Sequence, residues 1–159
     1  MKMIDSNSSR NGQRGFSLVE VLITLVIMSI GMLGIAGLYV QSMQAGRTST
    51  FRHHAVTLAS DVADRIRANP LAGVAYAAAN GVDSNCVTGG IDCDAAEMAG
   101  NDILLWQDQA RESLPGGQVG IVFDGGVVPA TYQITISWSA PNPANQPPTY
   151  IITIPVRGI

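Results

Sequence analysis

The chain has 159 residues, a formal net charge of −3 and a hydrophobic content of 47%, enough for one membrane-spanning helix and one small domain. The charge is uneven, because the residues after Pro70 include two basic against eight acidic side chains. Such an acidic segment repels a phosphate backbone and has no basic stripe with interleaved aromatic residues. The composition therefore argues against nucleic-acid binding.

Residues 1–15 are polar, rich in Ser, Asn and Gly, and predict no fixed fold. An apolar run of 25 residues, 16–40, follows, and Glu20 is its only charged side chain. Because a helix of roughly 20 apolar residues crosses a bilayer core, this run is long enough to span one. An acid costs on the order of 2.5–3.5 kcal/mol at the centre of a span and less near its end, so retaining Glu20 requires a compensating interaction.

The charges that flank the run predict its orientation. Three basic residues and one acid precede it, whereas the next basic residues after it are Arg47 and Arg52. Because positive charge close to a span tends to stay in the cytoplasm, we expect a cytoplasmic N-terminus and a single crossing. A secretory signal peptide would have a shorter apolar region followed by a small-residue cleavage site.

One long helix is predicted over residues 16–69, and its second half, residues 41–69, is amphipathic. Asp61 and Arg65 are spaced to pair on the solvent side, and Pro70 ends the helix because the residue before a proline avoids the α region. Six apolar residues recur at helical spacing and predict a buried face: Ala55, Leu58, Ala59, Val62, Ala63 and Ile66. Three glycines in the apolar half favour either close packing between membrane helices or a segment that can unwind: Gly31, Gly34 and Gly37.

Residues 71–100 lack sustained periodicity and predict an irregular connection with a short helical piece at residues 95–99. Cys86 and Cys93 lie in this connection, on either side of two adjacent glycines that can turn the chain tightly. On the outer side of the membrane a disulfide between them is permitted. Free thiols and a zinc site are the alternatives, although only two thiols are available and neither histidine is near in sequence.

The rest of the sequence predicts a helix over residues 101–117, stopped by a Pro-Gly-Gly sequence, and then three strands. The strands are predicted at residues 119–123, 131–139 and 149–156. The last two alternate, which indicates a sheet half-buried against the amphipathic helix, and Pro155 indicates an edge position or a strand end. Their inward-facing residues are Tyr132, Ile134, Ile136, Trp138, Tyr150, Ile152, Ile154 and Val156. The predicted fold class is α+β, a long N-terminal helix packed on a small antiparallel sheet.

The sequence Gly-Phe-Ser-Leu-Val-Glu at residues 15–20, followed directly by a spanning run, resembles the leader junction of type IV pilins and the pseudopilins of type II secretion. The resemblance implies that residues 1–15 are a leader, which a prepilin peptidase cuts between Gly15 and Phe16. It also implies that the new amine of Phe16 is methylated and that Glu20 is the assembly glutamate. The spanning run would then stay in the mature protein.

Two further stretches resemble PilV-type minor pilins: LASDVADRIRANP at residues 58–70, and the spacing of Trp106 before the Leu-Pro-Gly-Gly that ends at Gly117. This resemblance implies a minor subunit of an initiating or tip complex, which contacts other minor and major pilins and the inner-membrane assembly machinery. Residues 70–159 would form a periplasmic domain, displayed at the cell surface once the subunit enters the pilus. A minor pseudopilin of type II secretion is the alternative, and an adhesin or DNA receptor is a third.

No cofactor and no enzymatic activity are expected. His53 and His54 are adjacent, so their side chains point about 100° apart on a helix and cannot share a metal as an i,i+4 pair can. No spaced carboxylate pair, phosphate loop or nucleophile–base order is evident in the sequence.

Overall fold

The computed structural model describes residues 15–87, 92–139 and 146–156. It divides into two compact units, with the boundary between Ala45 and Gly46, and each unit is described by itself. Predictions for residues 1–14, for the glycines between the two cysteines and for most of the connection before the last strand lie outside the described residues. Within them, the chain has the predicted α+β fold.

The first helix, α1, runs from Leu18 to Ala68, within two residues of its predicted ends at both termini. In the second unit, the six residues predicted to form its apolar face are all buried. Alanines at 55, 59 and 63 form a stripe at i,i+4 spacing, flanked by the larger Leu58, Val62 and Ile66. This face packs into a single core with the sheet and the second helix, as the periodicity predicts.

A short 3₁₀ helix, Pro70–Ala77, follows α1 in a stretch predicted to be irregular. Pro70 ends α1 as predicted and begins this helix, a position that suits its fixed φ angle and its missing N–H. The 3₁₀ helix places Tyr76 in the core with no exposed surface. The Tyr132 hydroxyl donates a hydrogen bond to the carbonyl of Gly73, which joins this helix to the sheet.

The second helix, α2, runs from Ala95 to Ser113. The two predicted pieces, at residues 95–99 and 101–117, are one continuous helix that ends at Ser113, so the predicted division is wrong. Asp94 is its N-cap: its carboxylate accepts from the N–H groups of Ala96 and Glu97 at 2.8 Å each. Glu97 accepts in return from the Asp94 N–H at 3.0 Å. This reciprocal capping box satisfies unpaired N–H groups of the first turn and allows the helix to begin six residues before residue 101.

Three antiparallel strands form a sheet in the order β1-β2-β3, namely Gln118–Asp124, Thr131–Ser137 and Thr149–Pro155. In this register Ile134 of β2 lies between Ile121 of β1 and Ile152 of β3. The predicted inward face of β2 is confirmed, because Tyr132, Ile134 and Ile136 are at most 2% exposed. β3 is an edge strand among the described residues and ends at Pro155, as its sequence predicts.

The capping box makes a testable contribution to stability. Replacing Asp94 with alanine removes both side-chain bonds to the first turn, and we expect the free energy of unfolding to fall by about 1 kcal/mol. The measurement is chemical denaturation of the full chain in detergent, followed by the fluorescence of Trp106 and Trp138, which both lie in the second unit. Asp92→Ala is the matched control, since it removes an exposed acid two residues earlier that makes no capping bond. Equal effects of the two substitutions would contradict the assignment.

Candidate membrane and assembly segment

The first unit exposes an apolar helical surface. Between Phe16 and Val40 the large apolar side chains are all exposed, from 47% at Val21 to 83% at Phe16. Among the described residues, α1 is the one helix long and apolar enough to cross a membrane, with a mean hydropathy of 2.5 over its most apolar part. So much contiguous apolar surface calls for a covering of lipid or of other protein.

Glu20 lies in the first turn of α1, where its backbone N–H donates to the carbonyl of Ser17 at 3.0 Å. The first turn has unpaired N–H groups and the positive end of the helix dipole, which favour an anionic side chain there. Gly15 and Phe16 precede the helix and belong to no helix or strand. The three residues that the leader resemblance singles out therefore lie together at the N-terminal end of α1.

Two neutral polar side chains of the run, those of Thr24 and Ser29, form hydrogen bonds within the helix, whereas Glu20 carries a charge. The hydroxyls of Thr24 and Ser29 donate to the carbonyls of Val21 and Val26, each at 2.8 Å, so neither needs a partner in an apolar surrounding. The described parts of the chain contain no cation in an ion pair with Glu20. The start of the helix favours this negative charge, but no described cation neutralises it.

The glycines of the run are not required by packing within this chain. A Cβ placed on Gly31, Gly34 or Gly37 would meet no atom within 4 Å. Both sequence interpretations, packing against another helix and local unwinding, stay open.

The second unit contains a buried carboxylate that the sequence analysis missed. Asp102 of α2 is 4% exposed. It accepts a hydrogen bond from Nη1 of Arg65 on α1 at 3.0 Å and another from the Tyr76 hydroxyl at 2.9 Å. The amide of Asn69 donates to the Tyr76 hydroxyl at 3.3 Å and to the Ala95 carbonyl at 2.8 Å. These bonds connect α1, the 3₁₀ helix and α2 through polar groups that burial would otherwise penalise.

Arg65 also forms the predicted i,i+4 pair, with Nε 3.3 Å from Oδ2 of Asp61. The same Asp61 oxygen accepts from the Trp106 indole N–H at 3.0 Å. The pair is therefore a bridge to α2 as well as a solvent-side contact, which the sequence did not predict. Partial burial opposes the charge on Arg65, but the hydrogen bond and charge of Asp102, with the charge of Asp61, outweigh it and raise the pKa of the guanidinium.

The irregular chain between the 3₁₀ helix and Cys86 lies along α2, and a disulfide follows it. The Val82 N–H donates to the Gly100 carbonyl at 3.0 Å, and the Gln107 amide donates to the Ala79 carbonyl at 3.0 Å. Gly81 approaches α2 so closely that a Cβ would collide with the backbone of Leu104. Cys86 and Cys93 form the disulfide, one of the three sequence alternatives, immediately before the N-cap of α2. The chain-entropy estimate for so short a loop is about 2.5 kcal/mol.

The two histidines lie side by side on exposed turns of α1, with ring centroids 6.3 Å apart. Within the described ranges, no group of three or more His, Cys, Asp or Glu side chains is arranged to hold a metal ion.

Comparison with known families agrees with the leader junction and with the fold. The prokaryotic N-terminal methylation motif matches residues 10–36, and the family of type IV pilin Tt1218 matches residues 37–104. No curated protein and no solved structure matches the chain.

The chain belongs to the type IV pilin superfamily. Within that class, it is a pilin subunit of a pilus or a pseudopilus. Membership implies processing by a prepilin peptidase, assembly with other pilins and anchoring in a membrane by the apolar N-terminal helix. The superfamily is structural rather than enzymatic. Residues 105–159, with the second half of α2 and the whole sheet, lie outside both matches.

The buried tyrosine gives a pH dependence that can be measured. Burial raises the pKa of Tyr76 above its ordinary value near 10, so above that pH the unfolded chain loses the phenolic proton more readily than the folded chain. The ionisation of Tyr76 therefore leaves the free energy of unfolding unchanged below about pH 10 and lowers it above that pH, by at most about 1.4 kcal/mol per pH unit for this one group. Chemical denaturation between pH 8 and 11 measures this slope.

Tyr76→Phe should reduce the alkaline slope without abolishing it, because burial also raises the pKa of Tyr132. At pH 8 the same substitution should lower stability by roughly 1–2 kcal/mol, since Asp102 loses one of its two donors. An unchanged alkaline slope in Tyr76→Phe would show that Tyr76 is not protected from ionisation.

Proposed function

We propose that the chain is a minor pilin, a structural subunit without catalytic activity that helps to initiate a type IV pilus or forms part of its tip complex. The proposal assigns residues 1–15 to a leader cut between Gly15 and Phe16, with methylation of Phe16. Residues 16–40 would cross the inner membrane once, with the N-terminus in the cytoplasm. Residues 41–69 would form the amphipathic half of the helix, and residues 70–159 a periplasmic domain.

One observation carries the assembly role: Glu20 is an acid in the first turn of α1, inside an exposed apolar run, residues 16–40, that is otherwise uncharged. After cleavage, the amine of Phe16 would be a positive charge four residues from Glu20. A subunit that enters a bundle of such helices can place its amine on the Glu20 of a neighbour. In water such a pair would be worth little, but separating the charges in an apolar bundle is strongly unfavourable.

The minor role is supported by the two stretches that resemble PilV-type minor pilins, and the structure gives physical reasons for several of their residues. Asp61, Arg65 and Asn69 of the first stretch supply the polar contacts with α2 and the 3₁₀ helix. In the second stretch Trp106 is buried, and a Cβ on Gly117 would collide with the Ala110 carbonyl. These residues support the fold of the domain, and the resemblance supports the subfamily.

A minor pseudopilin of type II secretion is the second candidate, because it would share the same anchor and the same helix-on-sheet domain. A DNA receptor is disfavoured by the acidic composition after Pro70, which repels phosphate. We propose no cofactor. The partners are other minor and major pilins, the peptidase and the inner-membrane assembly machinery.

The assembly mechanism predicts the behaviour of Glu20→Ala in cells. The substitution removes a charge that is costly in a membrane, so insertion should not suffer. It leaves Gly15 and Phe16 unchanged, so the leader should still be cut. Incorporation should fall, because the neighbour's amine loses its partner. The measurement is the ratio of this subunit to major pilin in sheared fibres, with the cleaved and uncleaved forms separated in the membrane fraction.

Thr24→Ala is the matched control, since it removes a polar group one turn later whose only described bond is to its own helix. Incorporation of the control should match that of the unchanged chain. Undiminished incorporation of cleaved Glu20→Ala would reject the charge-pair mechanism and favour a passive anchor. Absence of the unchanged subunit from surface fibres, together with a secretion defect on its deletion, would favour the pseudopilin.

A further inference from the structure

We propose that Arg47 and Arg52 bind the phosphate groups of phospholipids at the outer surface of the membrane that α1 crosses, with a preference for anionic headgroups. The inference goes beyond the assembly role, and it rests on the proposed function only for the placement of residues 16–40 in the bilayer. It would make the start of the second unit a lipid-binding surface.

Arg47 and Arg52 have no ionic partner among the described residues. Of the five arginines that the structure describes, Arg65, Arg67 and Arg111 form ion pairs of 2.6–3.3 Å with aspartates. Arg47 and Arg52 form none, and both are exposed. The sequence offers no local partner either, because no Asp or Glu occurs between Glu20 and Asp61.

The two arginines also lie soon after the end of the apolar run. Arg47 and Arg52 follow the end of the apolar run at Val40 by seven and twelve residues. The segment between the run and Arg52 contains Gln, Ser and Thr but no acid, and Tyr39 stands at the end of the run. Aromatic residues are typical of the level where a span meets the headgroups, and long cationic side chains reach phosphates from just beyond it.

The preference of basic residues for the cytoplasmic side of a span does not explain Arg47 and Arg52. Basic residues close to a span favour the cytoplasmic side, so two arginines soon after the outer end oppose the proposed orientation. An unpaired guanidinium is a multi-donor group that binds phosphate oxygens well. Phosphates are the anions available at a membrane surface, and each arginine near an anionic surface adds to binding. The charge complementarity therefore favours lipid as the partner.

Lipid selectivity of the full chain tests the proposal. The chain is reconstituted into phosphatidylcholine bilayers, and the association of spin-labelled phosphatidylglycerol is compared with that of spin-labelled phosphatidylcholine by electron paramagnetic resonance. A single arginine near the surface raises the association of the anionic lipids that contact it about fivefold. Averaged over all the lipids around the chain, we expect the preference for phosphatidylglycerol to fall about twofold in Arg47→Gln/Arg52→Gln. The reduction should shrink as salt is raised.

Two control variants show whether the lipid preference depends on where the arginines lie or on the charge alone. Arg67→Gln removes a cation from the same helix, but one that is paired with Asp64 at 2.9 Å, and it should leave the lipid preference unchanged. Arg47→Lys/Arg52→Lys keeps the charge and should keep most of the preference. The basic residues before the span are present in every variant, so the differences between variants do not arise from them.

An equal loss of preference in Arg67→Gln would overturn the proposal, because the effect would then follow total charge. An unchanged preference in Arg47→Gln/Arg52→Gln would also overturn it, and reduced entry of that variant into sheared fibres would then identify carboxylates of a neighbouring subunit as the partner. The lipid measurement requires neither cleavage nor fibres. Failure of the proposed function, seen as absence of the unchanged chain from fibres, is therefore distinguishable from failure of this inference.

Discussion

A buried carboxylate joins three elements of the second unit. Asp102 lies in the core at 4% exposure and is stable there only if donors meet it. Arg65 supplies one from α1 and Tyr76 supplies another from the 3₁₀ helix. The positions of these two elements relative to α2 are thereby linked, and the stacked rings of Tyr76 and Trp106, with centroids 5.7 Å apart, pack beside the same contact.

The elements that the sequence predicted well are those with local, repeated signals. The buried face of α1 follows a helical period, and β2 and β3 follow strict alternation, so their burial could be stated without knowing the fold. α2 was misjudged because a D-x-x-E capping box at Asp94 and Glu97 was overlooked, although this signal is local and readable. Tyr76 and Asp102 could not be found in this way. Their roles depend on contacts 26 and 37 residues apart in the chain, which periodicity does not report.

The residues of the candidate assembly site also differ in how far the sequence alone predicts them. A single acid in a membrane-length apolar run is visible from composition alone, and it marks Glu20 as a residue that needs a partner. The assignment of Gly15 and Phe16 to cleavage and methylation came instead from resemblance to a family, since no physical rule distinguishes that peptide bond. In the structure, Asp102 and Glu20 differ in whether they have a cationic partner. Asp102 finds its cation within the chain, whereas Glu20 has none among the described residues, which is why we propose that a neighbouring subunit supplies it.

The central claim is that the chain is cut between Gly15 and Phe16 and keeps its apolar helix as the new N-terminus. Intact-mass and N-terminal fragment spectrometry of the protein purified from membranes and fibres of cells with the peptidase tests it most directly. The account predicts a chain that begins at Phe16 and carries one methyl group on its amine. Assembled protein that still begins at Met1, or one cut after the apolar run, would contradict it.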